Sequence, residues 1–509
     1  PDMIALTADE IAQVTGGRIQ PGLDPQTVLR AVTPDSRQVG AQEAVLYVAK
    51  PGEKADGHDF IDAALSAGAA AVLAERETHD ADRNPHPSIL VQDAVLAMGA
   101  IAREVVRRVR AHSPTTVIGI TGSAGKTTTK DLLAAILAEH GPTVAPIGSY
   151  NGEVGVPLTV FEAELDTRYL VLEMGADHVG NIEYLCDIAP PDIGVVLMVG
   201  TAHAGTFGGV ENIAKTKGEL VEALGSDGVA VLNRDDPRVA AMAARTSAPV
   251  LWFSVDEDAV SGLDEQIAAG QVRGVALARG LHADDEGRPG FDLVLGDDLC
   301  APGTAVRSGL TGTHHAANAL AAAAAAHAAG VPADAIARVL DGLGPTSRFR
   351  MERTDRADGV TIYNDAYNAN PESMRAALKT LAGLGRATGR RTWAVLGEML
   401  ELGDEHIREH TLVGESIVRL NIAQLLVVGA GARPLYIGAL NEGSWGEEAH
   451  FAADLDEAYA VLERELRPGD IVLVKSSNGS GLAALGERLA AAPASGTAAS
   501  TTDTKEGRA

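Results

Sequence analysis

Residues 119–130 read GITGSAGKTTTK, a glycine-rich turn that follows an apolar strand-length run and opens a helix-forming segment. That stretch narrows the fold more than any other, because such a turn works only where a parallel strand ends and a helix begins. There the backbone N–H groups and the helix N-terminus converge on one point and can hold phosphate oxygens. The strict phosphate-loop spacing calls for glycine at position 120, where Ile120 stands. Glycines fall at 119, 122 and 125 instead. The physical parts survive: Gly122, Ser123, Ala124 and Gly125 form the turn, and Lys126 supplies positive charge. Thr127 is placed to reach a magnesium ion, with Thr128 beside it at the helix start.

Apolar runs without polar alternation surround this turn: VIGIT, YLVLEMG, IGVVLMVG and VAVLN, with helices expected over 126–139 and 210–224. Strands buried on both faces of a parallel sheet read this way. A Gly- and Asp-rich stretch over 256–310 suggests further strands and turns. After DGLGPTSRFRME (341–352), which reads as a hinge, the alternation returns. VTIYNDA, RTWAVLGEM, QLLVVGA and DIVLVKSS are separated by helices expected over 371–384, 404–420 and 455–466. The first block mixes short strands and helices and ends before the break at Ser113-Pro114. The expected fold class is α/β with three domains. These are an N-terminal mixed α/β domain (1–112), a central phosphate-loop parallel-sheet domain (113–345) and a C-terminal Rossmann-like domain (346–490). Residues 491–509 are small and polar and are expected to be disordered.

The formal net charge of −27 argues against a nucleic-acid or anionic-membrane partner, since both would be repelled. Two cysteines, Cys186 and Cys300, suggest neither a disulfide framework nor a metal cluster and fit a reducing cytoplasm. The opening residues lack the charged start and apolar block of a secretory leader. NALAAAAAAHAAGV (318–331) is shorter than a membrane span and reads as a helix of a water-soluble domain.

Other residues gather at the same sheet edge. Glu173 ends YLVLE, where a carboxylate can hold magnesium beside bound phosphates, and His203 follows the next buried strand. Only nine lysines occur in the chain, yet Lys215 and Lys217 share one helix. VVGAGAR (427–433) resembles the start of a dinucleotide fingerprint but lacks its third glycine, and NRDD (233–236) only loosely matches a guanine-reading box.

Together, DSRQVG, KADGHDF, TGSAGKTTTK, EMGA, TAHAGTFGG, AKTKGEL, GTHHAANALAAAAAA, YNDAYNANPESMRAAL, GEMLELG and VLVKSS resemble the Mur ligase family, ATP-dependent amide-forming enzymes of bacterial cell-wall synthesis. DAYNANPESM with GEMLELG looks most like the branch that adds D-alanyl-D-alanine to UDP-N-acetylmuramoyl-tripeptide through an acyl phosphate. The resemblance implies ATP and two magnesium ions, one held by Thr127 and Glu173 and one by Glu173 and His203, with Lys217 carbamylated by CO₂ near the metal. It also implies that Asn318 reads adenine and that Arg348 and Asp365 reach the nucleotide. Ser36, Arg37 and His58 would line the uridine-diphosphate end, and Asn151, Asn368 and Asn370 would meet the peptide substrates. A monomer is implied as well. Two positions depart from the family pattern: His315, where Asn is usual, and Gly152, where a second Asn is usual. A folylpolyglutamate synthetase and a catalytically inactive ATP-binding regulator remain as alternatives.

Overall fold

The apolar runs beside the glycine-rich turn become neighbouring parallel strands. This is seen in a computed structural model that describes residues 3–52, 55–200, 207–443 and 447–491. The chain divides into two units, Pro1–Asp284 with Arg288–Ser347, and Asp285–Gly287 with Arg348–Ala509. The division falls between Ser347 and Arg348, inside the stretch read as a hinge. The tail over 492–509 and His203 lie outside the described residues.

In the first unit, Thr116–Thr121 pairs in parallel with Tyr169–Glu173 on one side and Ile193–Val196 on the other. Thr143–Val144, Val229–Asn233, Val250–Ser254 and Val272–Ala283 extend the parallel part. The antiparallel strands Pro289–Gly296 and Thr304–Arg307 complete nine strands, so the Gly- and Asp-rich stretch does supply strands and turns. Residues alternate between two cores: Ile118, Ile120 and Val171 pack with Leu133 and Ile136, while Val117, Leu170 and Leu172 pack with Leu220 and Val221. Helices Lys126–Ala138 and Val210–Glu222 therefore cover opposite faces. The winding direction reverses at Thr116–Thr121, and in such sheets ligands bind beyond the carboxyl ends at that reversal.

The N-terminal residues belong to the same unit. Their five-stranded sheet runs Arg18–Ile19, Ser88–Leu90, Ala69–Ala74, Val45–Ala49, Ala31–Thr33, parallel except for the first pair. Helix Ala94–His112 joins it to the central part: Val105 and Val109 share a core with Leu170 and Ile188, and Arg110 Nη2 reaches Asp192 Oδ2 at 2.6 Å.

The second unit holds a six-stranded sheet in the order Glu352–Asp355, Thr361–Asn364, Ile471–Lys475, Thr392–Leu396, Gln424–Val428, Ala449–Ala452. All pairs but the first are parallel. Ala394 and Leu396 face one core and Trp393 and Val395 the other, the doubly wound pattern read from the sequence. Helix Pro371–Thr388 runs past its expected end and stops at Gly389, whose φ of 66° ends the helix cheaply only for glycine.

Alanine-rich His315–Ala328 is a core helix, and Ala321–Ala326 expose no surface. Side chains that stop at Cβ let it lie close to both helix Lys126–Ala138 and the sheet, and a helix apolar all round must be buried. Among the described residues no helix is long and apolar enough to cross a membrane. Ala323→Leu should lower stability by about 1–3 kcal/mol through overpacking. An unchanged thermal midpoint would show that the helix is less tightly enclosed than this.

Candidate active site

The turn after Thr116–Thr121 is shaped by close approach. A Cβ on Gly122 would stand 2.8 Å from Leu197 Cβ, and one on Gly125 would collide with Asn318 Oδ1. Gly125 also has φ of 85° at the N-terminus of helix Lys126–Ala138, a conformation that glycine adopts without strain. Lys126 Nζ folds back to donate to Gly122 O at 2.8 Å. Ser123 N donates to Met198 O at 3.0 Å, and Ser123 Oγ accepts from Gly200 N at 2.9 Å. Ala124 and Thr128 are half-buried in the turn and first helical residues, and Thr127 is buried.

The segment that leads to His203 is held from its other side by NRDD. Asn233 Nδ2 donates to Leu197 O and Asp236 Oδ2 accepts from Val199 N, each at 2.8 Å. Asp235 Oδ2 accepts from Val255 N at 2.8 Å, and Arg234 lies over the Trp252 ring. The motif therefore braces the phosphate loop's neighbour, a role its resemblance to a base-reading box does not reveal.

Glu173 is fully buried one strand away, in register with Ile120. Ser149 Oγ donates to Glu173 Oε2 at 3.2 Å and accepts from Asn151 Nδ2 at 3.0 Å, so Asn151 and Glu173 belong to one chain of hydrogen bonds. Ser149 was missed in the sequence because a lone serine in a loop carries no spacing signal. No atom lies within 4 Å of a Cβ placed on Gly152, so that departure from the usual Asn has no packing cause. The other departure is absorbed, because His315 Nδ1 lies 3.2 Å from Asn318 Nδ2.

Lys217 projects from helix Val210–Glu222 into the fold and is buried. Burial pushes its amine down to about 7, and the like charge of Lys126 acts in the same direction. The two lysines therefore feel one another. The helix is pinned on either side of Lys217. Glu219 accepts from Gly180 N at 2.7 Å and Glu183 N at 3.0 Å, capping helix Asn181–Ile188. Arg245 donates to Ala214 O and Lys215 O, and its guanidinium occupies the space that a Cβ on Gly218 would need.

In the N-terminal sheet, Ser36 is half-buried and exposed Arg37 pairs with Asp35 at 2.8 Å. His58 is buried with both ring nitrogens used: Nε2 accepts from Glu75 N at 3.0 Å, leaving Nδ1 to donate to Asp56 Oδ1 at 2.6 Å. His58's backbone N–H and ring, with Arg76, hold the Asp56 carboxyl far below its ordinary range.

In the second unit, Arg348 pairs with Glu487 at 2.5 Å. Asp365 Oδ2 meets buried Lys475 Nζ at 2.6 Å and its Oδ1 accepts from Met351 N at 3.0 Å. Burial pushes the Lys475 amine down, and Asp365 opposes that shift. Asn368 is exposed, while Asn370 caps helix Pro371–Thr388 by accepting from Ser373 N at 2.8 Å.

The profile described as Mur ligase middle domain matches residues 120–326, that described as Mur ligase, glutamate ligase domain matches 349–478, and that described as Mur ligase family, catalytic domain matches 29–106. A Mycobacterium tuberculosis protein named UDP-N-acetylmuramoyl-tripeptide--D-alanyl-D-alanine ligase is 44% identical over 96% of this chain and 98% of its own. The crystal structure of MurF from Acinetobacter baumannii superposes with a TM-score of 0.80 at 28% identity, over 96% of this chain and 99% of that one. The MurF ligase of Thermotoga maritima, solved in complex with ADP, gives 0.73 at 29% identity over 91% and 97%.

The state of Lys217 can be read from stability. Its folded pKa lies near 7 and its ordinary value is 10.5, so the unfolded chain binds the proton more tightly between them. Stability then rises with pH across that window, and the cost of burying the cation is fully present below it. Lys217→Met in CO₂-free buffer should melt higher than the unsubstituted protein at pH 7, with the gap narrowing toward 10.5. A gap constant across the window would contradict a buried, titrating amine.

Proposed function

The chain belongs to the Mur ligase family, and on that premise we propose that it uses ATP to join D-alanyl-D-alanine to UDP-N-acetylmuramoyl-tripeptide. The products are UDP-N-acetylmuramoyl-pentapeptide, ADP and phosphate. The name of the Mycobacterium tuberculosis relative and the full-length match to MurF structures support this choice of substrates. The geometry that carries it is the glycine turn with Lys126, flanked by the Glu173 carboxylate on one strand and the Lys217 amine on the opposing helix.

In this reading the tripeptide's terminal carboxylate attacks the γ-phosphate of ATP and becomes an acyl phosphate. The amine of D-alanyl-D-alanine then displaces phosphate through a tetrahedral intermediate. Phosphoryl transfer asks mainly for positioning and charge neutralisation. The turn's N–H groups and Lys126 supply both at the phosphate end, and Asn318, packed against Gly125, borders the nucleotide.

The Thr127 hydroxyl and Glu173 carboxylate are the hard oxygen donors that magnesium takes, and magnesium commonly fills its remaining positions with water and phosphate oxygens. Magnesium bound there would neutralise phosphate charge. His203 would complete a second site.

Lys217 would carry a carbamate from CO₂. Its depressed pKa leaves neutral amine available at physiological pH, and the product is an anion suited to a site beside a metal. Ser36, Arg37 and His58 are assigned to the UDP end, Asn151, Asn368 and Asn370 to the peptides, and Arg348 and Asp365 to the nucleotide. The free thiols of Cys186 and Cys300 suit a cytoplasmic enzyme.

Phosphate release from MgATP should require UDP-N-acetylmuramoyl-tripeptide and D-alanyl-D-alanine together and yield the pentapeptide. Lys126→Ala and Lys217→Ala should each lower kcat by about 10²–10³-fold while leaving the melting profile cooperative. Release that neither compound stimulates would overturn the assignment, and full activity in Lys217→Ala would remove the carbamate from it.

A further inference from the structure

Thr121 ends the strand that delivers the phosphate loop. Its side chain is fully buried, and its hydroxyl has no hydrogen-bond partner among the described residues. A buried hydroxyl left in this state costs stability, and at a strand end beside a binding site it calls for an explanation. The hydroxyls and charges next to it in sequence, on Ser123, Lys126 and Thr127, all have partners. Thr121 is not among them.

Sheet alternation shows which face it lies on. Thr121 shares a face with Gly119 and Val117, because side chains two residues apart lie on one side of a strand. That face is covered by helix Val210–Glu222, since a Cβ on Gly119 would lie 2.9 Å from Leu220 Cδ1. The helix links the parallel strands Ile193–Val196 and Val229–Asn233, so it runs back against their direction. Lys217 is three residues before Leu220 on the same helical face, roughly 4.5 Å nearer the strands' carboxyl ends. Thr121 lies two residues beyond Gly119, roughly 6.6 Å in the same direction. By these rises the backbone positions of Thr121 and Lys217 lie within roughly 2 Å of one level along the strand axis, on facing layers. The like charge of Lys126 acts on the Lys217 amine in the same direction as burial.

We infer that Thr121 is a positioning residue for a carbamate on Lys217, donating its O–H to a carbamate oxygen and accepting from the carbamate N–H. The inference rests on the carbamate assigned above. The modification forms a bond between the Lys217 nitrogen and the carbon of CO₂ and releases one amine proton to solvent, with no change of oxidation state. The unmodified protein leaves the hydroxyl idle, whereas the modified protein gives it an anionic partner. The carbamate in turn gains a fixed orientation beside Lys126.

The test is the occupancy of the carbamate in the full chain, followed by NMR with isotopically labelled bicarbonate, in the native protein, Thr121→Val and Thr121→Ser. Val keeps the volume and removes the hydroxyl. The bicarbonate concentration for half occupancy should rise about tenfold in Thr121→Val, the size of one hydrogen bond to a charged group, and return to within about twofold in Thr121→Ser. Without bicarbonate, Thr121→Val should melt no lower than the native protein, because the hydroxyl it removes is unpaired. Should Val fail to fold, Thr121→Ala carries the same comparison. Equal half-occupancy in native and Val proteins would overturn the role of Thr121. No carbamate signal in the native protein while it ligates would overturn the carbamate itself, and Thr121's role with it.

Discussion

The parallel pairing of Thr116–Thr121 with Tyr169–Glu173 and Ile193–Val196 decides where the chemistry can be. One register places Glu173 beside Ile120 and Val196 beside Thr121, so the loops leaving these strands start side by side. The backbone hydrogen bonds that fix this register are paid for by secondary structure alone. The turn carrying Lys126 and the buried carboxylate of Glu173 are brought to the same edge of the sheet by this register. A shift of one residue would send Glu173 to the opposite face of the sheet.

On that frame, bracing contacts hold the charged groups in place. Lys217 is held in the interior by a helix fixed through Glu219 on one side and Arg245 on the other. The segment leading toward His203 is clasped between Ser123 and the side chains of Asn233 and Asp236. Both braces limit motion in groups that must be placed to within a fraction of an ångström for phosphoryl transfer.

Much of this was legible in the sequence. The glycine turn, the unalternating apolar runs and the alanine helix each have one physical explanation, and each forms the element expected. Helix ends were read less well, because termini such as Gly389 are set by a single left-handed residue rather than by periodicity. Side-chain duties were harder still. NRDD looked like a failed base-reading motif, and its role in holding residues 197–200 depends on a strand neighbour that sequence order hides. Asn370 also caps a helix and His58 has both ring nitrogens engaged within the fold, local duties that residue type and motif do not reveal. Thr121 gave no signal at all, since a threonine ending a strand is ordinary until its hydroxyl is found without a partner.

The central claim is that the site activates a carboxylate by phosphorylating it. The most direct measurement labels the terminal carboxylate of UDP-N-acetylmuramoyl-tripeptide with heavy oxygen and follows the label through one round of ligation. An acyl phosphate intermediate transfers one labelled oxygen to the released phosphate, and that transfer is the result expected here. Ligation that releases phosphate without the label would contradict the account, whatever the fold.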